Sequence, residues 1–95
     1  MAYVYLLGSH RSGRLYLGWT TDLRRRLCQH QAGEARATRG RGPYELLYLE
    51  GYRHREEAMA REASLKQHSN VFKQLKRRLA RTLAMASSRV QEVGG

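Results

Sequence analysis

Cysteine and proline each occur once in this 95-residue sequence, and no apolar run approaches the length of a membrane span. With Cys28 as the single cysteine, neither an internal disulfide nor a thiolate zinc site can form. The chain opens directly on a strand-like segment, without a basic leader followed by an apolar core. We therefore expect a cytoplasmic protein in a reducing compartment, with no membrane partner.

Acidic residues are also scarce, at 8 against 18 lysines and arginines. These few carboxylates form no cluster like the one that a two-metal nuclease needs. A hydrolytic mechanism would therefore have to use one metal ion together with other side chains. The net charge is +10, and most of the basic residues are arginine, whose planar fork suits bidentate phosphate contacts. This balance predicts a polyanionic partner, with nucleic acid favoured over a membrane surface.

The N-terminal half predicts a β-hairpin followed by a helix. Residues 2–7 are aromatic and β-branched with apolar groups on both faces, which predicts a central strand. A turn bounded by glycines leads to a second strand over residues 14–19, so the pair should be antiparallel. A helix is predicted over residues 22–32, with Asp22 near its start as a capping residue and Gly33 as its stop.

The C-terminal half predicts one further strand, over residues 44–52, and two helices. One helix begins at Arg55 and breaks at residues 68–70. The last helix carries an apolar stripe at helical spacing, whose members are Phe72, Leu75, Leu79 and Leu83. The expected fold is an α+β domain over residues 1–86, a three-stranded sheet flanked by three helices in β-β-α-β-α-α order. Residues 87–95 lack periodicity and are predicted to form a disordered tail.

An arginine- and glycine-rich loop joins the first predicted helix to the third strand. Its three arginines are Arg36, Arg39 and Arg41. Glycines allow backbone amides to approach a ligand closely, so the loop is expected to lie along a phosphate backbone. The alternative is a solvated loop whose arginines keep the protein soluble.

A carboxylate interrupts the apolar face of the second predicted helix. Ala58, Glu62 and Leu65 share this face by their i, i+4, i+7 spacing. A carboxylate there costs free energy unless it is paired or binds a cation. Two interpretations stay open: an ion pair with an arginine, or a ligand for a hard cation such as Mg²⁺, which prefers oxygen ligands.

The first predicted helix carries a second candidate group. Arg26 and His30 are four residues apart and share one face, while Cys28 between them is expected to be a small packing residue. Among the tyrosines, Tyr5 and Tyr16 are candidates for more than packing. A phenol or imidazole could take a proton from water, and a guanidinium could stabilise charge on a phosphate.

Five segments, in order along residues 2–80, resemble the GIY-YIG nuclease family. In that family the first motif ends in a tyrosine and the second begins with one, about eleven residues later; here the two tyrosines are at positions 5 and 16, and 16 − 5 = 11. The matching segments are Tyr3-Val4-Tyr5, Tyr16-Leu17-Gly18, the run from Gly18 to Leu27, the run from Thr38 to Pro43, and the run from Ala60 to Lys66.

The resemblance implies a three-stranded mixed or antiparallel sheet flanked by helices, together with specific roles. Glu62 would hold a single divalent ion, Mg²⁺ or Mn²⁺, and Arg26 would stabilise the pentavalent phosphate. Tyr5 or Tyr16 would help to activate the attacking water, and His30 would assist in proton transfer or phosphate binding. Nucleic-acid binding is assigned to the remaining basic candidates, Arg36, Arg39, Arg41 and Lys66.

The expected function is that of a divalent-metal-dependent DNA endonuclease in DNA repair or processing. Single-stranded or branched DNA is favoured as substrate, because so small a domain lacks a module for reading long duplex sites. The alternative is a non-catalytic, basic nucleic-acid-binding module on the same fold. A complete set of candidate catalytic residues argues against that alternative, because binding alone does not require a carboxylate facing an anion.

Overall fold

Three antiparallel strands and four helices make up the part of the chain that the computed structural model describes, which is residues 1–34, 40 and 42–86. The elements are β1 (Ala2–Ser9), β2 (Leu15–Thr20), α1 (Leu23–Gln31), β3 (Tyr44–Tyr52), α2 (Arg55–Gln67), α3 (Ser69–Arg78) and α4 (residues 80–86). The predicted α+β class is confirmed. The predicted tail over residues 87–95 lies outside the described residues. No helix within the described ranges is long and apolar enough to cross a membrane.

The sheet has the strand order β2-β1-β3, so β1 is the central strand that its two apolar faces predicted. Tyr5 of β1 lies opposite Gly18 of β2 and Leu49 of β3. A register shift between Leu6 and Leu7 interrupts the pairing with β3. Because side chains alternate along a strand, β1 presents Leu6 to one face of the sheet and Tyr5 to the other.

The main core lies on the face of the sheet that α2 and α3 cover. Its buried members are Ala2, Val4, Leu6, Leu17, Ala58, Leu65 and Leu75. A smaller cluster occupies the opposite face under α1, where Tyr5, Leu7 and Tyr44 are buried and Leu23 and Leu27 pack against them. The candidate tyrosine Tyr5 therefore lies on the less covered face of the sheet, away from the main core.

The last helix, predicted as one continuous element, is divided at Leu79. The Leu79 amide reaches the carbonyl oxygens of both Leu75 and Lys76 at 3.1 Å, and this tighter turn ends α3 before α4 begins. Neither glycine nor proline marks this break in the sequence. The reason is tertiary, since Leu79 and Leu83 both pack against the main core, so the apolar stripe is kept while the helix bends around the sheet.

Candidate active site

A buried hydrogen bond joins β1 to α1 at the centre of the site. The Tyr5 hydroxyl lies 2.9 Å from His30 Nε2, and the two residues are only 1% and 2% exposed. Within α1, whose residues are all described, His30 is the one buried side chain. Two residues that the sequence singled out separately, 25 positions apart, are therefore a directly bonded pair.

Burial sets the protonation of this pair. It is the largest cause of the raised pKa of the Tyr5 phenol; Tyr16 raises this pKa further, Arg26 lowers it, and Glu62 raises it by a smaller amount. Burial also lowers the pKa of His30, and the nearby charge of Arg26 lowers it as well. At neutral pH the phenol therefore keeps its proton and the imidazole is neutral, so we infer that the Tyr5 hydroxyl donates to Nε2.

Gly18 makes room for the Tyr5 ring. A Cβ atom at this position would overlap the Tyr5 hydroxyl and lie 2.5 Å from the ring carbon that carries it. Gly18 faces Tyr5 directly in the strand pairing, so the absence of a side chain on β2 lets the phenol cross that strand and reach α1.

Replacing Gly18 by alanine is expected to displace the Tyr5 ring from His30, because the added methyl group occupies its space. We expect the free energy of unfolding to fall by about 1–3 kcal/mol, the usual cost of overpacking. A urea unfolding curve measures the loss of stability, and the near-ultraviolet circular dichroism of the tyrosines on the same preparation measures the displacement of the ring. Gly51→Ala is the matched control, since there the nearest atom is the tip of the flexible Met1 side chain, at 3.1 Å. Equal behaviour of the two variants would contradict this role for Gly18.

Two further tyrosines surround His30. The ring centre of Tyr16 lies 5.0 Å from that of His30 and 6.4 Å from that of Tyr5. Tyr44 is 6.3 Å from His30 and is buried. Tyr16 is partly exposed, so it is the phenol of this group with access to solvent.

The sequence interpretation missed Tyr44 and the residue that holds it, Gln31. The Gln31 side chain donates to the Tyr44 carbonyl oxygen at 2.6 Å and accepts from the Tyr44 amide at 3.0 Å. This pair of hydrogen bonds fixes the end of α1 to β3 immediately after His30. No periodicity or motif in the sequence indicated it, because the partner is 13 residues away.

Arg26 lies on the solvent side of the site. Its Nη1 atom is 3.4 Å from Gln29 Oε1, and its charge acts on both Tyr5 and His30. Arg24 and Arg25 are exposed as well. Arg26 and His30 therefore share one helix face but lie at different depths: the imidazole is buried and the guanidinium is at the surface.

Glu62 approaches the same region from α2. Its Oε2 atom lies 3.6 Å from Lys66 Nζ, and the two side chains are 19% and 47% exposed. Lys66 Nζ is in turn 5.8 Å from the centre of the Tyr16 ring. Glu62 is therefore paired with a half-exposed lysine beside Tyr16, rather than with a buried arginine as one interpretation of the sequence held.

Glu50, on the other face of the sheet, is a largely buried carboxylate that does pair with an arginine. Arg61 contacts both of its oxygens, with Nε at 3.0 Å and 3.3 Å and Nη2 at 3.1 Å. Tyr48 and Tyr52 donate to the same carboxylate at 2.7 Å and 2.5 Å. Burial alone would raise the pKa of Glu50, but these hydrogen bonds hold it below its ordinary value. Burial and the bond to Glu50 raise the pKa of Tyr52 to about 12.

Cys28 is exposed, so the expectation that it is a small packing residue is wrong. The inward side of α1 is occupied by Leu23, Leu27 and His30, and the residue after Leu27 is turned about 100° away from it. Three of the predicted nucleic-acid-binding residues, Arg36, Arg39 and Arg41, lie outside the described residues.

The donor set near the site suits one hard cation. Within the described ranges, no three His, Cys, Asp or Glu side chains group closely enough to hold a metal ion. Glu62 offers one carboxylate beside an open surface, and Mg²⁺ is commonly bound by one or two carboxylates together with water and substrate phosphate. The residues present therefore fit a single Mg²⁺-type ion that keeps most of its water.

The fold and site define a small α+β domain that gathers tyrosines, a neutral histidine and flanking charges on one face of its sheet. The sequence matches the family model described as the GIY-YIG catalytic domain over residues 1–76. The chain belongs to the GIY-YIG family. Membership implies a nuclease-type function and nucleic acid as the partner, and it confirms the resemblance predicted from the motifs.

Within this family, the chain is similar to UPF0213 proteins. One from Streptococcus pneumoniae is 46% identical over 74 residues, which are 77% of this chain and 74% of that protein. One from Halobacterium salinarum is 41% identical over 75 residues, or 78% and 96% of the two chains. The solution NMR structure of a UPF0213 protein from Bacillus halodurans is 40% identical, with a TM-score of 0.51 over 83% of this chain and 85% of that one.

Proposed function

We propose that this protein is a divalent-metal-dependent endonuclease that hydrolyses phosphodiester bonds in DNA, preferring single-stranded or branched substrates. The observation that carries the proposal is the buried bond between Tyr5 and His30, with Tyr16, Arg26 and Glu62 around it. A module that only binds nucleic acid needs exposed cations. Such a binding module does not require a neutral histidine that is hydrogen-bonded to a buried phenol.

Glu62 is the residue that would hold the ion. Its carboxylate would supply one oxygen, while water and the substrate supply the rest. When bound, such an ion offsets negative charge on the scissile phosphate. Lys66, which pairs with Glu62 at 3.6 Å, would then contact a phosphate of the substrate.

We propose that Tyr16, rather than Tyr5, helps to activate the attacking water. Tyr16 is partly exposed, whereas Tyr5 is buried with a raised pKa and keeps its proton at neutral pH. Tyr5 acts as a positioning residue that holds His30. Because Nε2 of the neutral imidazole already accepts the Tyr5 hydroxyl, His30 would take up a proton only through Tyr5, which passes its own proton to Nε2 and receives one from the side of the attacking water. Arg26 at the surface would stabilise the charge that develops on the phosphate.

A cleavage assay tests this function. The protein is incubated with single-stranded, duplex and branched DNA in Mg²⁺, in Mn²⁺ and in EDTA. Cleavage that requires the ion and favours unpaired or branched DNA is the expected result. Binding without cleavage in either metal would contradict the endonuclease and support the binding module.

Replacing Arg26 by alanine is expected to lower the cleavage rate by about 10²–10³-fold, with a much smaller loss of affinity, because its charge acts mainly in the transition state. Single-turnover rates and binding titrations separate the two effects. Arg24→Ala and Arg25→Ala are the matched controls, since each removes one positive charge from the same helix. Equal losses in all three variants would mean that only bulk charge matters.

A further inference from the structure

An open groove of about 310 Å³ runs along the outer edge of β2. It is lined by Leu15, Tyr16, Leu17, Leu65, Lys66 and Phe72. A water molecule occupies about 30 Å³ in the liquid, so the groove admits a group several times larger. Tyr16 is the one lining residue that is also a candidate catalytic residue, and the groove therefore leads away from the site toward α3.

The groove combines an apolar floor with two aromatic rings and one cation, Lys66, and a second lysine, Lys76, lies beside one of the rings. Leu17 and Leu65 are 7% and 1% exposed and form the floor. Lys66 Nζ lies 5.8 Å from the centre of the Tyr16 ring, and Lys76 Nζ, from outside the groove lining, lies 4.7 Å from the centre of the Phe72 ring. Each aromatic ring is thus accompanied by a lysine.

This combination matches the chemistry of an unpaired nucleotide. A phosphate backbone alone would need only the lysines, and the bases of an intact duplex are stacked on one another and unavailable to an aromatic side chain. Proteins that bind single strands stack bases on aromatic rings and track the phosphates with cations. β2 is also an edge strand, and within the described chain no strand pairs with its outer row of backbone amides and carbonyls, which a base edge could contact.

We propose that this groove takes the unpaired base of the nucleotide beside the scissile phosphate, stacked on Phe72, with Lys66 and Lys76 on the flanking phosphates. The inference rests on the proposed function, because Tyr16 belongs to both the groove and the site. The ligand class is a nucleic acid with an unpaired base, and single-stranded DNA and RNA share that chemistry.

The test uses single-stranded DNA and RNA oligonucleotides that carry one 2-aminopurine, and a DNA duplex in which this base is paired. Titrations in EDTA prevent cleavage. We expect the wild-type protein to change the 2-aminopurine emission of at least one single strand. Phe72→Leu keeps an apolar side chain without the ring, and it should lose this change and bind that strand about ten-fold more weakly. Its affinity for the duplex should be unchanged.

A charge-matched pair provides the control, since Phe72 also packs against the main core and its variant could lose stability. Lys76→Gln and Lys73→Gln each remove one positive charge from α3. Lys76→Gln should weaken single-strand binding more than Lys73→Gln does. Equal losses would overturn the proposal, even if Phe72→Leu does not fold.

The outcomes separate this groove from the proposed function. In one outcome the wild-type protein cleaves, and the Phe72→Leu variant binds single strands and changes the 2-aminopurine emission as the wild type does. This result would overturn the groove proposal alone. In another outcome the wild-type protein does not cleave, but it changes the 2-aminopurine emission and Phe72→Leu does not. This result would overturn the nuclease proposal and support the groove proposal.

Discussion

Replacing Glu62 by glutamine is expected to lower metal-dependent cleavage by at least about 100-fold, while the domain stays folded and still binds nucleic acid. Glutamine keeps the shape and one oxygen of the side chain but lacks the charge that attracts a divalent ion to a basic surface. The stability should change little, because an ion pair with a half-exposed lysine such as Lys66 contributes about 0–1 kcal/mol.

A melting curve, a binding titration and a cleavage time course on one preparation check this expectation. Glu56→Gln is the matched control, since it removes an exposed carboxylate from the same helix and should cleave at the wild-type rate. If Glu62→Gln cleaves as the wild type does, the metal role of this carboxylate is wrong. If it melts much earlier than Glu56→Gln, Glu62 is chiefly a structural ion-pair partner.

Replacing Glu50 by glutamine is expected to have the largest effect on stability, a loss of about 2–3 kcal/mol in the free energy of unfolding. Breaking a fully buried ion pair costs about 3–5 kcal/mol, and the Arg61 side chain is 27% exposed, which reduces that cost. The melting temperature of so small a domain should fall by about 10–20 °C. Thermal unfolding followed by circular dichroism measures this change.

The same carboxylate predicts a dependence of stability on pH. The pKa of Glu50 is lower in the folded protein than in the unfolded chain. Its contribution to the free energy of unfolding is therefore fully present at a pH above the unfolded pKa, about 4.3. That contribution is lost as the pH falls through the folded pKa. Urea unfolding between pH 7 and pH 3 should therefore show a loss of stability in the wild type that is smaller in Glu50→Gln. Identical pH profiles would contradict the role of Glu50.

The secondary structure was largely predictable, because its signals are local. The third strand runs over Tyr44–Tyr52 and the second helix begins at Arg55, as expected, since β-propensity and acidic residues in the first turn act over a few residues. The division of the last helix at Leu79 was not predictable. No capping or breaking residue marks it, and packing of the apolar stripe against the sheet decides it.

The candidate site was predictable as a set of residues but not as an arrangement. Motif spacing singled out Tyr5, Tyr16, Arg26, His30 and Glu62. The roles assigned to these residues are predictions. The sequence predicted the hairpin of β1 and β2, but the bond between Tyr5 and His30 also depends on the register that sets Gly18 opposite Tyr5. It joins residues 25 positions apart in different elements, a contact that no local pattern contains.

The sequence by itself determined the α+β class, the central position of β1 and membership in the GIY-YIG family, because these follow from the apolar pattern of each segment, continuous in β1, and from the order of short motifs. The tertiary structure decided which cation pairs with Glu50 and where Glu62 lies relative to Tyr16. Glu50 and Glu62 look alike in the sequence, as acids within predicted elements. Only the packing of α2 on the sheet brings Arg61 to Glu50 of β3. Glu62, the next residue of α2 and turned about 100° away, pairs instead with Lys66 one helical turn further on, and the packing of α2 places this local pair beside Tyr16.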